Sequence, residues 1–253
     1  MPQIISVGHG PDMRRIAVLA RAGKGPPVVW LGGFKSDMRS TKAAILDDWA
    51  ERTGRAFIRF DYSGHGESEG PFEDGTISRW LEDALAVLVN HVPEPPVLVG
   101  SSMGGWIALL AIRELLKSSP DRAPVGLVLI APATDFTERL MWDRFPDDIR
   151  QMVLETGAYR RPSAYSDDPY IITRGLIEDG RRHLLFGSPI RTGCPVHILQ
   201  GMEDPDVPWQ HALKLVEHLP GDSVSLTLIN DGDHRLSRPE DLEKLIAAVE
   251  GIA

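Results

Sequence analysis

The chain has 253 residues, is 42% hydrophobic and 25% charged, and carries a formal net charge of -9. That length suits a single α/β domain over residues 1–253, whose core needs no disulfide or metal staple. The acidic balance argues against a nucleic-acid-binding face and against docking on an anionic membrane surface.

From the N-terminus, Met1-Pro2-Gln3-Ile4-Ile5 lacks the basic start and long apolar run of a signal peptide. Two strands are expected at Ile4–Val7 and Ile16–Ala20, joined by a polar turn around Gly10-Pro11-Asp12 into a hairpin. Apolar runs then recur at Pro27–Leu31, Ala56–Phe60, Val97–Val99, Val125–Ile130, Val196–Leu199 and Val224–Ile229. Most are apolar throughout, as strands covered by helices on both faces must be. Period-3.6 patterns between them predict helices over Ala43–Thr53, Ile77–His91, Gly104–Lys117 and Leu242–Ile252. The alternation predicts an α/β fold with a mostly parallel, eight-stranded sheet. From about residue 135 to 190 no strand run is legible. Aromatics (Trp142, Phe145, Tyr159, Tyr165, Tyr170, Phe186) and arginines crowd this stretch, which reads as a helical cap inserted before the last two strands. No run approaches the roughly 18 apolar residues of a membrane span, so the expected compartment is the cytoplasm. The single cysteine, Cys194, excludes an intramolecular disulfide and a cysteine metal cluster, and reads as a buried thiol.

Gly100-Ser101-Ser102-Met103-Gly104 fits G-x-S-x-G. The pattern is short, but it lies between an apolar strand, Pro96–Val99, and a helical run from Gly105, the context a nucleophile elbow requires. The glycines frame Ser102; Ser101 would be flanked by Val99 and Met103. With the strand–helix alternation, these residues resemble the α/β-hydrolase superfamily across the whole chain, which implies that fold and a chain order of Ser, acid, His.

A serine hydroxyl needs an adjacent base. Of eight histidines, His197, His211, His218 and His234 come late enough. His197 lies inside a strand, and His211 and His218 fall on a helical stretch expected to face solvent. His234 follows the last strand in Asn230-Asp231-Gly232-Asp233-His234, at the sheet edge where such folds bind ligands. The acid is sought after Leu199-Gln200, where Glu203, Asp204 and Asp206 compete. Asp204 is preferred because it sits in a G-x-x-D-x-x-V-P frame resembling this fold's. Its role would be to hold the imidazole tautomer. Backbone N–H groups best stabilise an oxyanion; Met103 supplies one, and Phe34, with Gly33 as runner-up, supplies the other.

Asp61-Tyr62-Ser63-Gly64-His65-Gly66-Glu67-Ser68 is rich in functional groups, but its expected work is bracing the catalytic loops. His9 and His183 are expected at surface or core positions without chemistry. No H-E-x-x-H pair and no dinucleotide or Walker glycine pattern occurs, so no metal or cofactor is expected. The arginines Arg139, Arg144, Arg150, Arg160, Arg161, Arg174, Arg181 and Arg182 read as a solvated face; the alternative is that one or two meet an acidic acyl or leaving group.

A closer resemblance rests on Gly33–Met38, Arg59–Gly64, Gly100–Trp106, Pro162-Ser163-Ala164-Tyr165-Ser166, Gly201–Trp209 and Asp233-His234-Arg235. These are similar to the palmitoyl-protein thioesterase and acyl-glucuronide esterase branch, whose triad falls here on Ser102, Asp204 and His234. That branch carries a mitochondrial presequence and this chain does not, so it resembles a bacterial cytoplasmic relative. The expectation is a serine hydrolase of carboxylic esters or thioesters, acting on a small-molecule or acylated substrate, an acylated protein being one the resemblance implies. Rivals are a monoacylglycerol lipase, a peptidase, a perhydrolase, or a non-catalytic binding module on the same fold.

Overall fold

The computed structural model describes residues 1–162 and 169–252. Its strands are β1 Gln3–Val7, β2 Arg14–Arg21, β3 Lys24–Leu31, β4 Arg55–Phe60, β5 Val97–Ser101, β6 Gly126–Ile130, β7 Ala158–Arg161, β8 Tyr170–Thr173, β9 Val196–Gly201 and β10 Val224–Ile229. Its α-helices are α1 Thr41–Thr53, α2 Ile77–His91, α3 Met103–Ser118, α4 Asp147–Thr156, α5 Arg174–Gly180, α6 Trp209–Glu217 and α7 Pro239–Glu250. No helix among the described residues is long and apolar enough to cross a membrane.

Eight strands form one sheet in the order β1-β2-β4-β3-β5-β6-β9-β10. The β1–β2 and β2–β4 pairs are antiparallel; the remaining pairs are parallel. The expected N-terminal hairpin is present, with Gln3 opposite Val18 and Val7 opposite Arg14.

Successive side chains on a strand point to opposite faces. Val28 and Trp30 of β3 therefore join Trp49 of α1 and Leu245 of α7 in one core. Val29 and Leu31 join Trp80 of α2 and Trp106 of α3 in the other. This double burial explains why the central strands are apolar at every position. Thr76 starts α2 by accepting a hydrogen bond from the Arg79 N–H at 3.1 Å, and Gly54, at φ +69°, ends α1.

The chain leaves β3 for β4 on one side and returns to β5 on the other. The crevice between the C-terminal ends of β3 and β5 is thus the switch point at which open α/β sheets bind ligands.

Between β6 and β9 the chain makes its long excursion, as expected, but the purely helical reading is corrected. β7 and β8 form an antiparallel pair, Ala158 opposite Thr173 and Arg161 opposite Tyr170. Ala-Tyr-Arg-Arg shows no apolar alternation, so β7 is defined by its partner and not by its own pattern. A π-helical turn, Thr137–Met141, precedes them. Tyr165 and most of the Pro162–Ser166 motif lie outside the described residues.

A polar link crosses the core beneath the switch point. Arg14 Nε of β2 donates to Asp83 Oδ1 of α2 at 2.7 Å. Asp83 Oδ2 accepts from the Ser63 N–H at 2.9 Å and the Ser63 hydroxyl at 2.7 Å. Both charges are buried, and the other carboxylate partner of Arg14, Glu82 at 2.8 Å, is exposed, so losing Asp83 takes away the buried counter-charge. Replacing Asp83→Ala is expected to cost about 3–5 kcal/mol of unfolding free energy. Urea denaturation checks it, and a loss below about 1 kcal/mol would show that Glu82 alone compensates Arg14.

Candidate active site

Ser102 occupies the turn between β5 and α3 at φ +53°, ψ −118°. A side chain rarely adopts this conformation, and its strain is characteristic of functional turns. Close packing holds it there. A Cβ on Gly104 would lie 2.1 Å from the Leu31 carbonyl oxygen, so only glycine lets α3 start this near β3. The Ser102 N–H donates to the Ile130 carbonyl of β6 at 2.8 Å, and the hydroxyl is turned out of the sheet.

His234 lies on the loop after β10. Its Nε2 is 3.1 Å from Ser102 Oγ, and its Nδ1 is 2.8 Å from Asp204 Oδ2. Asp204, after β9, is buried. Its Oδ1 accepts from the Asp206 and Val207 N–H groups at 2.9 and 2.8 Å, and its Oδ2 also accepts from Gln200 Nε2 at 3.2 Å. Four donors thus fix a carboxylate that holds the imidazole. Glu203 and Asp206, the competing acids, make no contact of this kind with His234.

The loop Gly33–Met38 after β3 forms the facing wall. A Cβ on Gly33 would touch Ser102 Cβ at 3.4 Å, so this backbone runs directly past Ser102. The Met103 N–H is the first of α3 and has no intrahelical acceptor. The loop's internal bond runs from the Ser36 N–H to the Gly33 carbonyl at 3.1 Å, and the Lys35 N–H donates to His65 Nε2 at 3.1 Å. Neither uses the Phe34 N–H. The Phe34 ring is gripped edge-on by Phe72, Trp80, Phe136 and Tyr170 at centroid distances of 4.9, 5.8, 5.7 and 5.8 Å.

The Asp61–Ser68 segment braces this wall. Asp61 accepts from the Met38 and Glu67 N–H groups at 2.6 and 2.8 Å. Burial raises its carboxyl to about 6 despite those bonds. His65 is buried, and burial lowers its pKa to about 4. Its ring is therefore neutral at pH 7, with Nδ1–H facing the Ser63 carbonyl at 3.2 Å and Nε2 free to accept from Lys35.

These groups open onto a cleft of about 820 Å³, within the usual range for small-molecule sites. Phe136, Leu140, Met141, Phe145, Ile149 and Tyr159 line its excursion side; Ser36, Asp37, Ser40, Lys42, Arg235 and Ser237 line the side nearer α1. Arg144 and Arg161 also reach it, while Arg160 points to solvent. Arg161 pairs with Asp206 at 3.7 Å, and Arg144 reaches the Asp206 carbonyl at 3.5 Å.

Asp204, Asp206 and His234 place potential ligand atoms within 4.8 Å of one another. The facing atoms of Asp204 and His234 are already hydrogen-bonded, and a cation would have to break that bond.

Two histidines differ from expectation. His211, expected in solvent, is buried and bonds the Thr134 carbonyl at 2.7 Å, and burial lowers its pKa to about 4. His218 lies between the Lys214 and Phe186 carbonyls at 2.8 and 3.1 Å. The apolar side of α6 packs on the sheet and carries His211 with it. Gln200 was not anticipated; its one signal is an amide directly after the apolar Ile198-Leu199 at the end of β9. His183 is half-buried against Ser78 Oγ at 2.7 Å, and Cys194 is buried.

The profile of the alpha/beta hydrolase family matches residues 28–245. The chain belongs to the alpha/beta hydrolase family. Among relatives of this hydrolase, the human mitochondrial palmitoyl-protein thioesterase ABHD10 is 32% identical over 249 residues, covering 98% of this chain and 79% of its own. A crystal structure of an Agrobacterium vitis S4 protein classed as a hydrolase superposes with TM-score 0.97 at 55% identity, covering 100% of this chain and 98% of the other. Mouse alpha/beta hydrolase domain-containing protein 10 superposes with TM-score 0.87 at 30% identity, covering 98% and 97%.

The buried histidines make this hydrolase acid-sensitive. Their folded-state values, about 4, lie below the ordinary value near 6.5. Their stabilisation is therefore complete above pH 6.5 and is lost as pH falls toward 4. Asp61 opposes this, its raised value favouring the folded state as pH falls through about 6. Unfolding free energy is expected to fall between pH 6.5 and 4, and more gently in His65→Gln. Guanidine denaturation across that range checks it; identical slopes would place a charged His65 in the folded protein.

Proposed function

We propose that this hydrolase cleaves carboxylic esters and thioesters through an acyl-enzyme on Ser102. One observation carries the reading: Ser102 Oγ, His234 Nε2, His234 Nδ1 and Asp204 Oδ2 form an unbroken chain at 3.1 and 2.8 Å, opening onto a cleft at the switch point of the sheet. His234 Nε2 takes the Ser102 proton as Oγ attacks the acyl carbon. Asp204 holds the Nδ1–H tautomer and stabilises the imidazolium. The carbonyl oxygen becomes an oxyanion and accepts from the Met103 and Phe34 N–H groups, donors of the backbone kind that need no reorganisation. His234 returns the proton to the departing alkoxide or thiolate. Water activated by the same imidazole then attacks the acyl-enzyme and releases the acid.

The aromatic and aliphatic wall built by Phe136, Leu140, Met141, Phe145 and Ile149 suits an acyl chain. ABHD10 is named as a palmitoyl-protein thioesterase, which supports acyl-thioesters, acylated proteins among them, as the substrate class. The side nearer α1, where Ser36 and Arg235 border the cleft, suits the leaving group.

p-Nitrophenyl esters of increasing chain length, assayed with Ser102→Ala beside wild type, test the reading. Wild type should turn over, and Ser102→Ala should lose about a thousandfold or more in kcat. A fluorophosphonate probe should label wild type and not the variant. Silence of wild type on esters, acyl-thioesters and the probe would make the fold a non-catalytic binding module. A second expectation concerns the cleft arginines. Because Arg161 is already paired with Asp206, Arg161→Gln should leave KM for anionic esters within about twofold; a tenfold rise would show that it meets the substrate.

A further inference from the structure

Lys42 stands in the first turn of α1, the helix into which the Gly33–Met38 loop runs. Its side chain crosses the cleft floor to the histidine loop. The ammonium donates to the carbonyl of Arg235, the residue after His234, and to Ser237 Oγ at 3.3 Å. Ser237 Oγ donates to the same Arg235 carbonyl at 2.9 Å. One carbonyl, adjacent to the imidazole-bearing residue, is therefore gripped by an ammonium and a hydroxyl together. The loop has two further anchors: the Gly232 N–H donates to the Ile229 carbonyl at 3.1 Å, and the Leu236 N–H donates to Asp233 Oδ1 at 2.8 Å, closing the turn that holds His234 and Arg235. The Lys42 bonds join this loop to the opposite wall of the cleft, the wall that continues into Phe34.

We propose that Lys42 is a positioning residue for the general base, tying the His234 loop to the oxyanion-loop helix so that His234 Nε2 stays in line with Ser102 Oγ. It acts through the loop and not on the substrate. A small misplacement of a proton-transfer partner lowers the chemical rate far more than it lowers binding. Removing the ammonium therefore acts on kcat and leaves KM in place.

The environment of Lys42 adds a pH signature. Burial lowers its ammonium to about 8, with repulsion from Arg235 acting in the same direction and Asp233 and Asp241 opposing. As pH rises through about 8 the charge is lost. The neutral amine keeps donors, but the charge-assisted part of the grip disappears. A guanidinium at the same place stays charged throughout.

The proposal rests on the hydrolase mechanism above, and its test separates the two. Wild type, Lys42→Met, Lys42→Arg and Ser237→Ala are assayed on a short p-nitrophenyl ester from pH 6 to 10, with spontaneous hydrolysis subtracted and folding followed by thermal melts. Lys42→Met should lower kcat about ten- to a hundredfold with KM within about twofold. Ser237→Ala should move kcat a few-fold in the same direction. Wild-type kcat/KM should decline above pH 8, and Lys42→Arg should retain more rate than Lys42→Met and lack that decline. If Lys42→Met does not fold, the Ser237→Ala split between kcat and KM and the Lys42→Arg pH profile decide. Unchanged kcat in the variants overturns the proposal. So does a raised KM at constant kcat, which would make Lys42 a substrate contact, or the same alkaline decline in Lys42→Arg. A wild type inactive on every ester overturns the hydrolase reading instead.

Discussion

The site depends on one backbone conformation, that of Ser102 at φ +53°, ψ −118°. Such a residue costs about 1–3 kcal/mol and persists only where its surroundings leave no alternative. Here β5 ends buried between β3 and β6, α3 must begin at once, and the closeness of Gly104 to the Leu31 carbonyl makes the turn as tight as a chain allows. The strain has two consequences. It lifts the hydroxyl off the sheet, and it aims the first N–H of α3 at the space above. In the proposed mechanism, one conformation therefore delivers both the attacking oxygen and a donor for the charge that the attack creates.

Support converges on that point from loops far apart in sequence. Asp204 and His234 are brought beside β5 by the ordering β6-β9-β10, and Gln200 keeps the carboxylate from turning away. On the opposite side, a relay runs from Arg14 through Asp83 and Ser63 to His65 and the Lys35 N–H. A buried charge pair in the core thus fixes the direction of a loop that borders Ser102. These partners are satisfied before any substrate arrives, the condition under which electrostatic stabilisation is most effective.

The sheet was legible because its strands are buried on both faces and carry unbroken apolar runs; Ile77–His91 and Val224–Ile229 have the same limits in pattern and in structure. The glycine offsets single out Ser102, and Asp204 and His234 were sought on the loops after β9 and β10; the structure sets these three side chains in one hydrogen-bonded chain. The supports were harder to find. Lys42 meets residues 193 and 195 positions away, and nothing local in Thr41-Lys42-Ala43 marks such a partner. The β7–β8 pair was hidden because each strand is short and β7 is mostly polar. His211 was misplaced because a lone histidine on an amphipathic helix is compatible with either side, and only the Thr134 carbonyl decides.

The excursion between β6 and β9 leaves the sheet and returns to it at adjacent, directly paired strands, Leu127 opposite Val196 and Ile130 opposite Leu199. The ladder is closed underneath, so the residues between contribute walls to the cleft without contributing to the register that aligns Ser102, Asp204 and His234. Selection can therefore lengthen, shorten or repaint this roof while the reactive groups stay in alignment. Substrate choice and chemical competence become separately heritable traits within a single chain.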